Sequence, residues 1–232
     1  MLSPRQQHCL HGLGTPIWSK RASASATEAE APVQASPTPD SDRPETQITS
    51  SGWDAILGGI HACEACELAQ NCTQKVPGVG SHNARLMIVG EGPGHDEDIR
   101  GEPFVGRSGQ LLDRMLLAIG IERDQVYITN IVKCRPPNNR DPKPEEAQQC
   151  RRFLMDQIEQ IKPAVILSVG RVSAHNLLGS NQPVGKLIKQ MHQLPDTEIP
   201  VKVTYHPAYL LRNPSAKAIA WQDMQLLHQL LQ

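Results

Sequence analysis

The residues best suited to chemistry in this sequence are concentrated between Gly90 and Leu112, in the stretch GEGPGHDEDIRGEPFVGRSGQLL. Glycines and prolines recur along it, and such a loop exposes its backbone to a ligand. Its acids include Glu91, Asp96, Glu97 and Asp98, and it carries one aromatic ring, Phe104. A simple connection between two elements needs none of these side chains. We therefore interpret the stretch as a ligand-binding loop rather than an ordinary glycine-rich turn.

Four cysteines form a second set of chemically interesting residues. Cys63 and Cys66 are separated by two residues, and Cys134 and Cys150 are separated by fifteen. Four thiolates suit either a tetrahedral zinc ion or a 4Fe-4S cluster. The wide second spacing differs from that of zinc ribbons, whose second pair is close, so we favour the iron–sulfur cluster. Cys72 is predicted to be a small buried hydrophobe, with a substitute ligand as the alternative.

The composition narrows the class of protein. The 232 residues carry a formal net charge of -1, so any nucleic-acid binding must depend on local basic clusters. No apolar run approaches membrane-spanning length, and the N-terminus lacks the hydrophobic core of a signal peptide. We therefore expect a cytoplasmic protein, in which unevenly spaced cysteines indicate a metal or cluster site rather than disulfides.

The candidate residues must be positioned by the elements around them, and strands alternate with helices through most of the chain. Apolar or β-branched runs predict four strands, at Arg85–Val89, Gln125–Asn130, Lys162–Gly170 and Pro200–Thr204. Helical spacing of apolar residues predicts helices at Trp53–His61, Ser108–Ile119, Pro144–Ile161, Arg171–Leu178, Val184–Met191 and Ala216–Leu231. This order predicts an α/β protein, a three-layer α/β/α sandwich with a central four-stranded parallel sheet. Functional groups are then expected at its carboxyl edge, where each strand leads into a polar loop.

The N-terminal part differs from the rest in composition. Residues 1–21 contain Leu10, Leu13, Ile17 and Trp18, an apolar edge that indicates a short docking peptide. Residues 22–51 are rich in Ala, Ser, Thr, Pro, Glu and Asp and contain no aromatic residue, so we predict a disordered linker. The folded domain is then predicted at residues 52–232.

Four motifs occur in a fixed order in the predicted domain: GEGPGHDED, GEPFVGRSGQLL, TNIVKCRPPNNRDP and HPAYLLRNP. Together with the cysteine spacing, they resemble the family 4 uracil-DNA glycosylases over about residues 52–232. The resemblance implies the uracil-DNA glycosylase fold and a monomer acting on uracil-containing DNA, single- or double-stranded. It implies hydrolysis of the N-glycosidic bond of deoxyuridine. It also implies a 4Fe-4S cluster held by Cys63, Cys66, Cys134 and Cys150.

The resemblance assigns three residues to the flipped-out uracil. Phe104 matches the aromatic that stacks on the base. Asn130 matches the residue that reads its edge, because an amide can donate to O4 and accept from N3–H, and cytosine reverses both groups. His206 matches the histidine that donates to O2 as negative charge grows there during cleavage. His206, Asn130 and Glu91 are the predicted catalytic residues.

The first motif also places Glu91, Gly92 and Glu97 at the substrate. Related families have a water-activating Asp or Asn at the position of Gly92, and this sequence has no carboxylate there. The resemblance therefore implies a dissociative, sugar-cation-like transition state, with Glu91 holding the loop or orienting water. Glu97 matches the residue that crowds C5 of uracil and excludes the methyl group of thymine. The alternative for both acids is solvated charge on a loop.

Two further groups are predicted to contact DNA. Leu210, Leu211 and Arg212 of the HPAYLLR loop are expected to enter the minor groove, with an apolar wedge and a phosphate contact. A local basic patch is expected to bind phosphates and consists of Lys133, Arg135, Arg140, Arg151 and Arg152.

Residues 3–21, SPRQQHCLHGLGTPIWSKR, resemble the N-terminal peptide of the psi subunit of bacterial DNA polymerase III. The shared pattern is an Arg, a leucine-bearing helical turn, Leu-Gly, a tryptophan and a basic pair. In psi this peptide binds the chi subunit, which contacts single-stranded-DNA-binding protein. The resemblance implies that residues 1–21 dock on chi, while the linker 22–51 raises the local concentration of the enzyme at replication forks.

Two other functions are compatible with the sequence. One is an iron–sulfur binding or redox protein without glycosylase activity, and the pocket residues Phe104, Asn130 and His206 argue against it. The other is a noncatalytic iron–sulfur DNA-binding module associated with replication, such as the polymerase-associated domains that share this sequence pattern. A uracil-release assay separates all three.

Overall fold

The computed structural model describes residues 50–232. The predicted docking peptide, residues 1–21, and residues 22–49 of the predicted linker lie outside the described residues. Helix α1 begins at Ser50, close to the predicted start of the folded domain. No helix within the described residues is long and apolar enough to cross a membrane.

The described chain alternates between strands and helices. Its strands are β1 (Val79–Gly80), β2 (Leu86–Gly90), β3 (Tyr127–Asn130), β4 (Val165–Val169), β5 (Met191–Gln193) and β6 (Pro200–Thr204). Its helices are α1 (Ser50–His61), α2 (Leu68–Asn71), α3 (His95–Arg100), α4 (Arg107–Ala118), α5 (Pro144–Ile161), α6 (Arg171–Leu178), α7 (Val184–Leu187), α8 (Pro207–Arg212) and α9 (Lys217–Leu231). Short 3₁₀ helices lie at Arg123–Gln125, Pro137–Asn139 and Pro214–Ala216.

The strands form one six-stranded sheet in the order β1-β3-β2-β4-β6-β5. Its four central strands are parallel, as predicted. The edge strands β1 and β5 pair antiparallel with β3 and β6, so the complete sheet is mixed. The sequence did not predict these edge strands because two or three residues carry no recognisable period. The predicted helix Val184–Met191 is wrong in its last part, since the helix ends at Leu187 and Met191 begins β5.

Side chains of the central strands point alternately into two cores. Met87 and Val89 of β2 pack in one core with side chains of α1 and α5. Leu86 and Ile88 of the same strand pack in the other core with side chains of α4 and α9. Helices therefore cover both faces of the sheet, which confirms the predicted three-layer α/β/α sandwich. Coverage of both faces also explains why β2 and β4, LMIVG and VILSV, are buried throughout and lack an alternating pattern.

Candidate active site

An open pocket lies at the carboxyl edge of the sheet, beyond the ends of β2, β3 and β6. Gly92 follows β2, Asn130 is the last residue of β3, and His206 follows β6. All six residues predicted to bind the base line this pocket: Glu91, Gly92, Glu97, Phe104, Asn130 and His206. The fold thus brings together side chains from separate segments at the edge where parallel strands place their loops.

Phe104 is held in an unusual backbone conformation at the side of the pocket. The residue is buried, and its φ of 54° lies in the left-handed region, which is rare for an aromatic residue. Its ring stacks on the imidazole of His206, with centroids 5.7 Å apart and planes inclined by 29°. A Cβ atom at Gly109 would lie 1.7 Å from the Phe104 carbonyl oxygen. Glycine in the first turn of α4 is therefore required for the Phe104 backbone to adopt this position.

Gly90 lies next to the side chains of both Asn130 and Phe104. It is paired with Asn130 in the parallel ladder between β2 and β3. A Cβ atom at Gly90 would lie 2.3 Å from Oδ1 of Asn130 and 2.7 Å from two atoms of the Phe104 ring. Both side chains therefore occupy the space that any other residue at position 90 would need. Sequence reasoning did not identify Gly90 as a site residue, because glycine at a strand end is equally typical of a simple turn.

The hydrogen bonding of His206 fixes its tautomer. Its Nδ1 atom accepts a hydrogen bond from the backbone N–H of Ala208 at 3.1 Å. Burial, assisted by the positive charge of Arg212 and opposed by Glu97, lowers the pKa of His206 to about 4. The ring is therefore neutral near pH 7, and its single proton lies on Nε2. This atom is a hydrogen-bond donor on a residue that lines the pocket.

Glu97 organises the loop around Phe104. Its Oε1 atom accepts hydrogen bonds from the backbone N–H groups of Val105 at 3.0 Å and Gly106 at 3.2 Å. Its Oε2 atom accepts from the backbone N–H of Gly94 at 3.1 Å. These charge-assisted bonds tie the start of α3 to the segment that follows Phe104. Glu97 is therefore not a solvated charge on a loop.

Glu91 and Asp141 form a carboxyl pair at the pocket. Burial and the hydrogen-bonded Asp141 raise the pKa of Glu91 to about 7, against the opposing charge of Arg171. Asp141 itself forms an ion pair with Arg171. Sequence reasoning missed both partners of Glu91, because an acid in a proline-rich loop and a base at a helix start carry no local signal. The pair places a carboxyl group that titrates near neutral pH next to the predicted base-binding residues.

The segment predicted to enter the minor groove is a short helix, α8, rather than a loop. Pro207 at its first position and His206 at its N-cap favour this helix start. Leu210 is buried at 1% exposure, so the prediction that it contacts DNA is wrong: this side of α8 faces the core. Leu211 is 38% exposed, and Arg212 is also exposed and lines the pocket. These two side chains remain available for DNA.

The predicted basic patch is not formed as a unit. Lys133 is buried, so the prediction that it contacts phosphates is wrong. The reason is that residues 131–134 remain buried beyond the end of β3. Arg140 forms a bidentate pair with Glu146 at 2.6 and 2.8 Å, and Arg151 donates to the carbonyl oxygen of Asn176 at 2.9 Å. Both guanidinium groups therefore already have partners within the fold.

The four cysteines predicted as ligands line one cavity, beside the sheet: Cys63, Cys66, Cys134 and Cys150. The first two follow α1, the third follows β3, and the fourth lies on α5. Between residues 52 and 232, no three Cys, His, Asp or Glu side chains converge closely enough to hold a single metal ion. Thiols are soft donors, suited to zinc or to an iron–sulfur cluster. The donor set thus fits the predicted chemistry.

Comparison with known proteins gives a consistent result. Residues 77–225 match the family described as the uracil DNA glycosylase superfamily. The chain is 42% identical over 183 residues to the type-4 uracil-DNA glycosylase of Archaeoglobus fulgidus, covering 76% of this chain and 92% of the relative. It is 43% identical over 184 residues to that of Sulfurisphaera tokodaii, covering 76% and 84%. It is 46% identical over 170 residues to that of Thermotoga maritima, covering 72% and 88%.

Proposed function

The chain belongs to the uracil DNA glycosylase superfamily, within its type-4 family, and we propose that it is a uracil-DNA glycosylase. In this proposal the enzyme flips deoxyuridine out of DNA and hydrolyses its N-glycosidic bond. The products are free uracil and an abasic site that starts base-excision repair. One observation carries the proposal: a neutral His206 with its proton on Nε2 shares a pocket with the Phe104 ring and the Asn130 amide.

Base recognition in this proposal uses two side chains. The Phe104 ring provides a flat apolar surface on which the flipped base stacks. The Asn130 amide accepts a hydrogen bond from N3–H of uracil and donates one to O4. Cytosine presents the reverse pattern and is rejected. Glu97, which fixes the loop after Phe104, also crowds C5 so that the methyl group of thymine is excluded.

The chemical step is assigned to His206 and Glu91. The bond between N1 and C1′ breaks, and its electron pair remains on uracil, where negative charge develops at O2. His206 Nε2–H donates to O2 and stabilises this charge without having to be protonated. The sugar cation is captured by water, whose proton passes to Glu91, the carboxylate with a pKa raised to about 7. Phosphates of the bound DNA stabilise the cation.

We also propose that the cysteine cavity holds a 4Fe-4S cluster. A cluster takes one thiolate at each of its four irons, so its ligands do not need to converge on a point as they do around zinc. The shared lining of one cavity by four thiols supports the cluster. When bound, the cluster would join the ends of α1 and β3 to α5, and no step of the reaction passes through it.

The metal content tests this part of the proposal. Purified protein should be brown, with an absorption at about 400 nm that is typical of thiolate-bound iron–sulfur clusters. Cys150→Ser should remove the absorption, whereas Cys9→Ser, at a cysteine outside the predicted ligand set, should retain it as the matched control. Stoichiometric zinc without iron in anaerobically prepared protein would contradict the cluster.

The remaining assignments complete the proposal. Leu211 and Arg212 contact DNA, since they are exposed next to the pocket. Residues 52–232 form the catalytic domain, residues 1–21 bind the chi subunit of DNA polymerase III, and residues 22–51 link the two. The protein is assigned to the cytoplasm as a monomer. Binding of a peptide of residues 1–22 to chi, and its loss with Trp18→Ala, tests the docking assignment.

A uracil-release assay on single- and double-stranded oligonucleotides tests the activity itself. The full-length protein should release free uracil and leave alkali-labile abasic sites, and His206→Ala and Asn130→Ala should each be slower. Oligonucleotides with thymine or cytosine at the same position provide the substrate controls. DNA binding without uracil release would favour the noncatalytic DNA-binding module, and neither binding nor release would favour an iron–sulfur protein of another kind.

A further inference from the structure

Lys133 lies between the cysteine cavity and Asn130. Its side chain is 2% exposed, and the residue lines the cavity that contains the four cysteines. Its backbone N–H donates to Sγ of Cys150 at 3.3 Å. Its Nζ atom donates to the backbone carbonyl oxygen of Asn130 at 2.9 Å. A single residue therefore contacts both a predicted metal ligand and the residue assigned to read the uracil edge.

The ammonium group of Lys133 is held by uncharged oxygens. In addition to Asn130, it donates to Oγ1 of Thr129 at 2.6 Å and to Oε1 of Gln157 at 2.8 Å. Three acceptors use all three N–H groups of the ammonium. Burying a charge is costly, and hydrogen bonds to neutral oxygens compensate only part of that cost. The Cys150 thiolate, if it held a metal, would supply negative charge close to this buried ammonium.

The bonds of Lys133 connect elements that must keep a fixed relation. Thr129 and Asn130 are the last two residues of β3, and Gln157 lies on α5, the helix that carries Cys150. Gln157 in turn donates to the carbonyl oxygen of Pro77 at 2.9 Å. Movement of the end of β3 relative to α5 would break several of these buried bonds at once. The hydrogen bond from Lys133 therefore fixes the backbone of Asn130. Gly90, on the adjacent strand, leaves room for the Asn130 side chain.

We propose that Lys133 is a positioning residue that fixes Asn130 relative to the cysteine site, so that uracil recognition depends on this buried lysine. The inference rests on the proposed function, because the position of Asn130 matters only if it reads the base. Lys133 touches no substrate and acts through Asn130. Its removal should therefore have its full effect only when the Asn130 amide is present.

A double-mutant cycle tests this dependence. Lys133→Met keeps an unbranched side chain as far as Cε and removes the ammonium. It should lower the single-turnover rate of uracil release about tenfold or more, as for loss of a hydrogen bond from a charged group. In the Asn130→Ala background, the same change should alter the rate by less than about twofold. Equal fold-losses in both backgrounds would overturn the inference, because they would mean that Lys133 acts without Asn130.

Three further measurements separate positioning from a general structural role. Binding of free uracil by equilibrium dialysis should weaken in Lys133→Met, and unchanged binding would count against the inference. Thermal unfolding and iron content, measured on the same samples, show whether each variant is folded and holds iron. Lys202→Met removes the second lysine that is buried within the described residues, which pairs with Asp223 at 2.7 Å. It should lose stability without weakening uracil binding per folded molecule. Uracil binding that weakens equally in both variants would indicate a nonspecific effect of losing a buried lysine.

A milder variant covers the case in which Lys133→Met fails to fold or to hold iron. Thr129→Val removes one acceptor of the ammonium and leaves the lysine in place. It should lower the rate of uracil release several-fold, again with a smaller effect beside Asn130→Ala, and additivity would overturn the inference. The proposed function fails separately, if the wild-type protein releases no uracil. Cleavage by Asn130→Ala at the wild-type rate would withdraw the role of Asn130, and with it this inference, while leaving the glycosylase activity in place.

Discussion

The substitution Gly90→Ala should disable the pocket, because its new side chain would overlap both Asn130 and Phe104. The new Cβ atom would lie 2.3 Å from Oδ1 of Asn130 and 2.7 Å from the Phe104 ring. Ordinary contacts at such an atom begin near 3.4 Å, so Asn130 must retreat by about 1 Å. Phe104 cannot easily give way, because its own backbone is packed against Gly109. Misplacing a group at the reacting centre by about 1 Å can cost about 10²-fold in rate.

We therefore expect Gly90→Ala to release uracil about 10²-fold more slowly in single-turnover reactions with excess enzyme. The extra atom should also cost about 1–3 kcal/mol of stability, as overpacking of a buried site does. Gly58→Ala is the matched control: Gly58 lies in α1, and a Cβ atom there would meet nothing within 4 Å. That variant should cleave at the wild-type rate and should be slightly stabilised, because alanine favours a helix over glycine.

Rate and stability must be compared on the same preparations, since a misfolded variant would also be inactive. Chemical unfolding of Gly90→Ala gives the folded fraction under the assay conditions, and the rate is expressed per folded molecule. A folded Gly90→Ala protein that cleaves uracil as fast as the wild type would refute the reasoning. It would mean that neither Asn130 nor Phe104 needs its present position for catalysis.

Other predictions follow from the same site. His206→Ala should lower the rate about 10²-fold, as for loss of an oxyanion donor. Because folding lowers the pKa of His206 from 6.5 to about 4, the unfolded state binds more protons between these values. As the pH falls from 6.5 to 4, the free energy of unfolding measured with urea should therefore decrease more for the wild type than for His206→Ala. The same decrease in both proteins would contradict this. The rate of uracil release should rise as the pH increases through about 7, and this rise should be absent in Glu91→Gln. A wild-type rate that does not change with pH would exclude Glu91 as the base. Leu210→Ala should cost about 2–5 kcal/mol of stability, whereas Leu211→Ala should weaken duplex binding with little change in stability, and the reverse pattern would contradict the packing of α8.

The sequence predicted the centre of the fold well because the central strands are covered on both faces. A strand such as LMIVG has no polar position to obscure it, and the loops that follow such strands must meet at one edge of the sheet. Gly92, Asn130 and His206 could therefore be placed together from the order of the strands and the motifs that follow them. The edge strands β1 and β5 were missed because they are two and three residues long and owe their conformation to pairing with β3 and β6.

Burial of individual side chains was the part that the sequence could not supply. Lys133 stands in a proline-rich segment with other basic residues, a pattern typical of an exposed patch. Its actual environment depends on Thr129, Gln157 and Cys150, which tertiary folding brings to it. Leu210 was misassigned for a related reason, since the proline that follows β6 starts a helix and turns that side chain toward the core. Neither the burial of Lys133 nor that of Leu210 can be predicted from the periodicity of the surrounding sequence.

The position of Gly92 gives a steric reason for the unusual first motif. A Cβ atom there would lie 2.8 Å from Cγ2 of Val132, which is 1% exposed and cannot move freely. A carboxylate at position 92 would therefore require the segment after β3, which leads to Cys134, to shift. Glu91 points a carboxyl group into the same pocket without that cost, and burial beside Asp141 brings its pKa to about 7. Glu91, one residue earlier in the chain, can therefore accept a proton near neutral pH. At that position the packing around the cysteine site leaves room for a carboxyl group.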